Sequence, residues 1–338
     1  ELRPEMEPML KAIAHRGTID GSWVGPKVAL GSRRLPIIDI AHSPQPIHNE
    51  DNTLILIGNG EIYNFKDLTP ELRARGHTFS TQGDLECILH LYEDIGDQVW
   101  DRINGMFAVA IYDLRRDELT LARDHMGVKP LFYCQNSRFL SFASEIRSLR
   151  RHPEFHTQLN PQGIADYLSL QFVPRPQTVY QGITSLPPGS LLKAQGNRVA
   201  TSRFWQLAVT SDSSTMISGE AAQSTSELFH AAVRRQMISD VPLGVLLSGG
   251  LDSSAIAAVA ASLSPTPIKT FAIVFQEPTF DESPFSRLMA RRLRTEHHEL
   301  VLGEETILDS METIADHMDE PFCEGSTFPI YHICRYAK

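Results

Sequence analysis

The chain has 338 residues, 42% hydrophobic and 21% charged, a soluble globular composition long enough for two domains with their own cores. A formal net charge of −10 excludes any general electrostatic attraction to nucleic acid or anionic lipid, so an anion site has to be local. No apolar run is long enough to span a bilayer, and the polar opening Glu1-Leu2-Arg3-Pro4-Glu5 lacks a signal-peptide core.

In chain order, residues 8–15 read as a helix, and 28–30, 35–40 and 53–58 as short strands. Apolar residues at 88, 91, 92, 95 and 99 fall at helical spacing and predict one helix over 84–101. Residues 106–112 and 119–122 flank a charged turn, and 131–134 and 139–143 flank Gln135-Asn136-Ser137, so two hairpins are expected. Neither leaves room for a crossover helix, which makes the first half an α+β fold with antiparallel pairs. Prolines punctuate 157–219, and 208–219 is poor in large apolar groups, marking a linker.

Behind it the pattern alternates. Residues 244–247, 268–275 and 299–302 read as strands, and 253–263, 282–294 and 304–318 as helices, the signature of βαβ units on a parallel sheet. Residues 328–338 also read as helical. The four cysteines (Cys87, Cys134, Cys323, Cys334) form no C-x-x-C pair and read as reduced thiols of a cytoplasmic protein.

The stretch GVLLSGGLDSSAIAAVAA, 244–261, ends a strand in two glycines and starts a helix at once. Ligands of parallel sheets sit beyond the carboxyl ends of the strands. Glycines admit an anion to backbone N–H groups, the helix offers free N–H groups and the positive end of its dipole, and Ser248, Ser253 and Ser254 add hydroxyls. The loop therefore reads as a phosphate cradle. It is not a P-loop, since no lysine follows the glycines. The plainer alternative is a Gly-Gly turn with Asp252 as N-cap. Asp281-Glu282 lies at the rim of this site or is simply a solvated helix start. His297-His298 enter a strand on opposite faces and are read as structural rather than metal-binding.

SGGLDSS resembles the pyrophosphate loop of the ATP pyrophosphatases, and VPLGVLLSGGLDSSAIAA, KTFAIVF and EHHELVL look specifically like glutamine-hydrolysing asparagine synthetases. In the first half HRG (15–17), RRLPIID (33–39), NGEIYN (59–64), Gly83-Asp84, RDHMGVKPLFY (123–133) and ASE (143–145) resemble the class II glutamine amidotransferase domain. The resemblance implies an α+β N-terminal-nucleophile hydrolase sandwich (αββα) over 1–205, lacking its first strand and its N-terminal cysteine. It further implies a linker at 206–224 and, over 225–338, the first part of an α/β parallel-sheet ATP-pyrophosphatase domain. Glutamine would be held by Arg34, Leu35, Ile38, Asn59, Gly60, Glu61 and Asp84. Arg34 suits the carboxylate, and Asp84 and Glu61 the ammonium. Asn59 and Gly60 would form the oxyanion hole; an N-G turn between strands is the competing reading of that pair. ATP would contact Leu246, Ser248, Gly249, Gly250, Leu251, Asp252, Ser253 and Ile273. Leu246 and Ile273 would flank the adenine, and Asp252 would meet Mg²⁺ through the pyrophosphate.

The family's nucleophile is a cysteine at the mature N-terminus, and here position 1 is Glu1. Together with the abrupt end at Lys338, this leads us to expect an internal fragment of a longer enzyme, inactive as a glutaminase. The implied reaction of the parent is ATP- and glutamine-dependent amidation of aspartate through β-aspartyl-AMP. Its partners are glutamine, aspartate and ATP, with no nucleic acid or membrane, and a homodimer of the parent is left open. The alternatives are a β-lactam-synthetase-like amide-bond former acting on another carboxylate, an ammonia-dependent enzyme without the cysteine, and a non-catalytic fragment.

Overall fold

The computed structural model describes residues 3–209 and 218–338. Two compact units result, 1–210 with 319–321, and 211–318 with 322–338.

The first unit opens on helix α1 (Arg3–Ala12) and a 3₁₀ turn at Ala14–Arg16. Strands β1 (Ile19–Val24) and β2 (Ala29–Arg34) form an antiparallel hairpin. Then come β3 (Ile47–His48), β4 (Leu54–Ile62), α2 (Phe65–Ala74), α3 (Glu86–Ile95), α4 (Val99–Arg102), β5 (Gly105–Asp113) and β6 (Glu118–Arg123). They are followed by β7 (Phe132–Gln135), β8 (Leu140–Ala143), α5 (Ile146–Leu149), α6 (Pro161–Leu170), β9 (Ile183–Ser185), β10 (Ser190–Gln195) and β11 (Arg198–Arg203). An antiparallel six-stranded sheet runs β11-β10-β6-β5-β4-β3, and a smaller one runs β8-β7-β9.

Period-two alternation sorts the side chains of the large sheet. Ile55, Ile57, Ala108, Ala110 and Tyr112 face a core shared with Leu30 of β2 and with Leu131 and Leu186. On the opposite face α3 packs on β3 and β4, with α2 beside it. The small sheet buries Phe132, Cys134 and Ala143 with Ile146 and Leu149 of α5 and Met9 of α1. The layers are helix, sheet, sheet, helix: an αββα sandwich.

Both expected hairpins form. Residues 35–40 do not make a strand. Pro36 lacks an N–H, Asp39 has φ of 48°, and Arg34 Nη2 donates to the carbonyls of Ile38 (2.7 Å) and Asp39 (3.3 Å), which curls the segment back on β2. Asn59-Gly60 lies inside β4 and is no turn. The helix expected over 84–101 breaks at Gly96 (φ 57°), where a 3₁₀ turn separates α3 from α4. The polar β1 carries no apolar alternation to announce it in the sequence.

The second unit contains α7 (Ser218–Gln236), β12 (Gly244–Leu246), α8 (Leu251–Leu263), β13 (Lys269–Phe275), α9 (Ser283–Leu293), β14 (Glu296–Leu302), α10 (Glu304–His317) and α11 (Thr327–Ala337). The three strands are parallel, in the order β12-β13-β14. Of the expected linker 206–224, residues 210–217 lie outside the described residues, and 218–224 form the first turns of α7. Among the described residues no helix is long and apolar enough to cross a membrane.

Candidate functional site

A cavity of about 830 Å³ opens within the first unit, and Arg34, Leu35, Ile38, Asn59, Gly60, Glu61 and Asp84 all line it. Register explains how β4 builds its wall. Phe107 of β5 donates to Asp124 Oδ2 and accepts from the Asp124 N–H, so its backbone is engaged on the β6 side. Its β4 partner, Gly60, is therefore a non-hydrogen-bonded pair member, and the Gly60 N–H turns to the outer edge of β4. The neighbours on that edge are taken by side chains. Gly58 N–H donates to Gln45 Oε1 at 2.9 Å, and Ile62 N–H donates to Asp84 Oδ2 at 2.6 Å. Between them, the Asn59 side-chain Nδ2 is buried with no hydrogen-bond partner among the described residues. A buried donor without an acceptor is costly and marks a place for a ligand atom. Only glycine fits at 60, because a Cβ there would lie 2.3 Å from the Met106 carbonyl oxygen.

Charge surrounds this donor pair. Burial raises the Asp84 carboxyl to about 6, with the Ile62 N–H and Arg34 opposing and Glu61 reinforcing the rise. Burial also raises Glu61, against the charge of Lys129. The Arg34 guanidinium is pulled down by burial, and Asp84 and Asp39 work against that. Gly17 brings the HRG segment against β2, since a Cβ there would lie 2.3 Å from the Arg34 carbonyl carbon. Arg16 then pairs with Glu145 at 2.7 Å, and His15 Nε2 lies 3.0 Å from the same oxygen, which joins the HRG and ASE motifs. A guanidinium, two carboxylates and amide donors in one cavity can recognise a small zwitterion and polarise its carbonyl.

Two lining residues carry roles that sequence reasoning misses. Gln45 clamps Gly58 with both ends of its amide, the second bond being Nε2 to the Gly58 carbonyl at 2.8 Å. Nothing in its local spacing signals this, because the pairing is long-range. Lys129 sits in RDHMGVKPLFY, and its charge is felt by Glu61 only once that loop folds. Cys87 of α3 and Cys134 of β7 are buried, and burial raises Cys134 to about 12 and Cys87 well above an ordinary thiol.

In the second unit the loop leaves the carboxyl end of β12. Gly249 has φ of 90°, and a Cβ on it would lie 2.6 Å from both Phe285 Cβ and the Ser286 nitrogen. Gly250, not Asp252, is the N-cap of α8, and no side chain caps the helix. Asp252 stands exposed in the first turn. Ser248 Oγ lies 3.0 Å from Ser253 Oγ and accepts from the Gly250 N–H at 3.3 Å. Ser254 Oγ is buried without a partner among the described residues, and Leu251 is exposed. Leu246 pairs with Phe271, so Leu246 and Ile273 project from one face of adjacent strands. Asp281 accepts from the Ser283 N–H and hydroxyl, both at 3.0 Å, which gives it a structural task. His297 and His298 meet different carboxylates, Glu299 and Glu296.

The family model of the glutamine amidotransferase domain matches residues 1–205, and the one described as asparagine synthase matches 224–338. The chain is similar to asparagine synthetase [glutamine-hydrolyzing] 3 of Bacillus subtilis, with 33% identity over 98% of this chain and 57% of that protein. It is also 33% identical to asparagine synthetase [glutamine-hydrolyzing] 1 of the same organism, over 98% of this chain and 52% of the relative. Asparagine synthetase B [glutamine-hydrolyzing] of Escherichia coli is 30% identical over all of this chain and 58% of its own length. The chain spans about half the length of the curated relatives it matches.

Proposed function

The chain belongs to the glutamine amidotransferase family, and from that premise we propose that it is part of an enzyme making asparagine from aspartate, ATP and glutamine. Residues 1–205 would be its glutaminase domain and 225–338 part of its synthetase domain. The observation that carries the reading is the buried, unpartnered Asn59 Nδ2 beside the edge-facing Gly60 N–H, in one cavity with Arg34 and Asp84.

Glutamine enters with its α-carboxylate on Arg34 and its α-ammonium on Asp84 and Glu61, while Leu35 and Ile38 line the cavity. Asn59 and Gly60 receive the carbonyl oxygen as it gains charge. Water and glutamine yield glutamate and ammonia. The nucleophile for that step is neither Cys87 nor Cys134, whose burial disfavours the thiolate.

In the second unit, ATP and aspartate react so that a carboxylate oxygen attacks the α-phosphorus and pyrophosphate leaves. Ammonia then attacks the acyl carbon of β-aspartyl-AMP and AMP departs. Ser248, Gly249, Gly250, Leu251, Asp252 and Ser253 receive the leaving phosphates at the uncapped helix start, and Leu246 and Ile273 flank the base. The exposed Asp252 carboxylate and the hydroxyls of Ser248 and Ser253 offer only oxygen donors, of the kind that would hold Mg²⁺. When bound, the ion screens phosphate charge.

Calorimetric titration of the chain with L-glutamine tests the first site. Binding should occur and should weaken at least about tenfold in Arg34→Ala; absence of binding overturns the glutamine reading. For the second site, the gene product is supplied with ATP, aspartate and glutamine or ammonia. AMP and asparagine should accumulate. ADP would contradict cleavage at the α-phosphorus, and amidation of a different carboxylate would favour the β-lactam-synthetase-like alternative.

A further inference from the structure

Away from the glutamine cavity, four side chains of the first unit converge where the turn before β4, the loop after α2 and the middle of α3 meet. One ligand-type atom from each of Glu50, His77, His90 and Glu93 lies within 4.8 Å of every other. We propose that this cluster is a structural binding site for a divalent transition-metal ion of the zinc class.

The argument rests on how the histidines are held. His90 is fully buried, yet its Nδ1 has no hydrogen-bond partner among the described residues and lies 3.5 Å from Glu50 Oε2. Its other nitrogen, Nε2, lies 3.4 Å from Glu86 Oε1. Glu86 is itself fixed as an acceptor by the N–H groups of Ser80 and Thr81, both at 2.7 Å. His77 repeats the arrangement, with Nε2 3.0 Å from Asp94 Oδ1 and Nδ1 3.3 Å from Glu50 Oε1. Each ring has a carboxylate at both nitrogens, and a proton on Nε2, held by the outer carboxylate, would leave the Nδ1 lone pair to face the cluster. Two imidazoles oriented by outer carboxylates, with their lone pairs converging on further carboxylates, is the arrangement that surrounds protein-bound zinc. The ligating carboxylates are held as well. Glu50 Oε1 accepts from the Thr78 N–H at 2.7 Å, and Asn49 Nδ2 donates to Glu93 Oε2 at 3.1 Å.

The spacing suits a small ion. Bonds of roughly 2.0–2.2 Å in a tetrahedron set neighbouring ligand atoms roughly 3.3–3.6 Å apart. His77 Nδ1 lies 3.3 Å from Glu50 Oε1 and His90 Nδ1 3.5 Å from Glu50 Oε2, so whichever oxygen binds, one histidine is already at the required separation. The widest pair has to close by about 1–1.5 Å, which the glutamate torsions can supply. Arg75, 3.3 Å from Asp94, balances the outer carboxylate rather than occupying the centre. The competing way to satisfy the cluster is a proton on each Nδ1, giving a network of ion pairs with no metal.

The chelator-treated chain is titrated with zinc chloride by calorimetry, and with Co²⁺ while its visible absorption is recorded. One equivalent should bind, with Co²⁺ giving the intense bands of four-coordination, and zinc should raise the unfolding temperature. Glu50→Gln and Glu93→Gln, both peripheral to the core, should each lower zinc affinity at least about tenfold and abolish the thermal shift. Asp94→Asn, which only orients His77, should weaken zinc by about tenfold while keeping the cobalt spectrum. A Cys323→Ser/Cys334→Ser variant should bind zinc unchanged. No binding at about 100 µM zinc would leave the protonated network and overturn the proposal, since sites of this class bind far more tightly. Affinity unaltered by both glutamate substitutions, or lost with the cysteines, would overturn it equally.

Discussion

At Asp84 the proposed ligand role would come at the expense of the fold. Its carboxyl titrates near 6 because it is buried, so the folded chain holds that proton more tightly than the unfolded chain does. The stabilisation from the protonated form is complete below the ordinary carboxylate range, and it is lost as pH rises through about 6. A carboxamide at this position would mimic the neutral form and still accept from the Ile62 N–H. Asp84→Asn should therefore stabilise the chain at about pH 7–8, by up to roughly 2–3 kcal/mol, in denaturant titrations. The same substitution should cost glutamine affinity, and wild-type affinity should fall as pH drops through about 6, when the proposed partner of the ammonium is neutralised. A destabilised variant would mean that the Arg34 attraction outweighs burial. Arg34, Asn59 and Asp84 are legible as candidates from residue type and motif. Gln45 is not, because its amide acquires meaning only when Gly58 is brought to it.

At the scale of elements, local chemistry predicts well where it acts locally. Alternating apolar runs on either side of polar turns become β5–β6 and β7–β8 in the expected antiparallel sense. It fails at 35–40, where an arginine side chain competes for the backbone carbonyls, and at Gly96, which takes a positive φ inside an otherwise continuous helical pattern. The two loop glycines can be separated by experiment. Gly249 holds φ of 90° against the α9 backbone, whereas Gly250 has φ of −67° and an added Cβ would make ordinary contact with Ser248 Oγ at 3.4 Å. Gly249→Ala should lower stability by about 1–3 kcal/mol and weaken Mg·ATP binding. Gly250→Ala, at an N-cap where alanine is disfavoured but the added Cβ meets no clash, should cost less, about 0.5–1 kcal/mol, and spare nucleotide binding. Equal losses in both would show that the loop, rather than the α9 contact, sets the requirement.

Across the molecule the apolar core is unevenly distributed. The first unit fully buries Leu30, Ile55, Leu56, Ile88, Leu91, Trp100, Phe107 and Leu121. In the second, the buried cluster is Leu247, Ala257 and Ala290, while Leu246, Phe285, Leu288, Val301 and Leu308 are exposed. Less apolar area removed from water means less free energy opposing local opening. Native-state hydrogen exchange should find the slowest amides in β4–β6, with β12–β14 exchanging at least about 100-fold faster. Comparable protection in both would refute this reading of the burial.

By itself the sequence determined the two-part organisation, the strand–helix alternation of the second half and the small-residue loop at the mouth of α8. Those features follow from hydrophobic period and from residue types whose backbone chemistry is intrinsic. Only the tertiary structure decided which N–H groups of β4 face an open edge, why Asn59 Nδ2 lacks a partner, and how His77 and His90, from separate segments, come to share one glutamate. Register and burial are set by contacts between distant segments, and no local pattern encodes the electrostatic environment those contacts create.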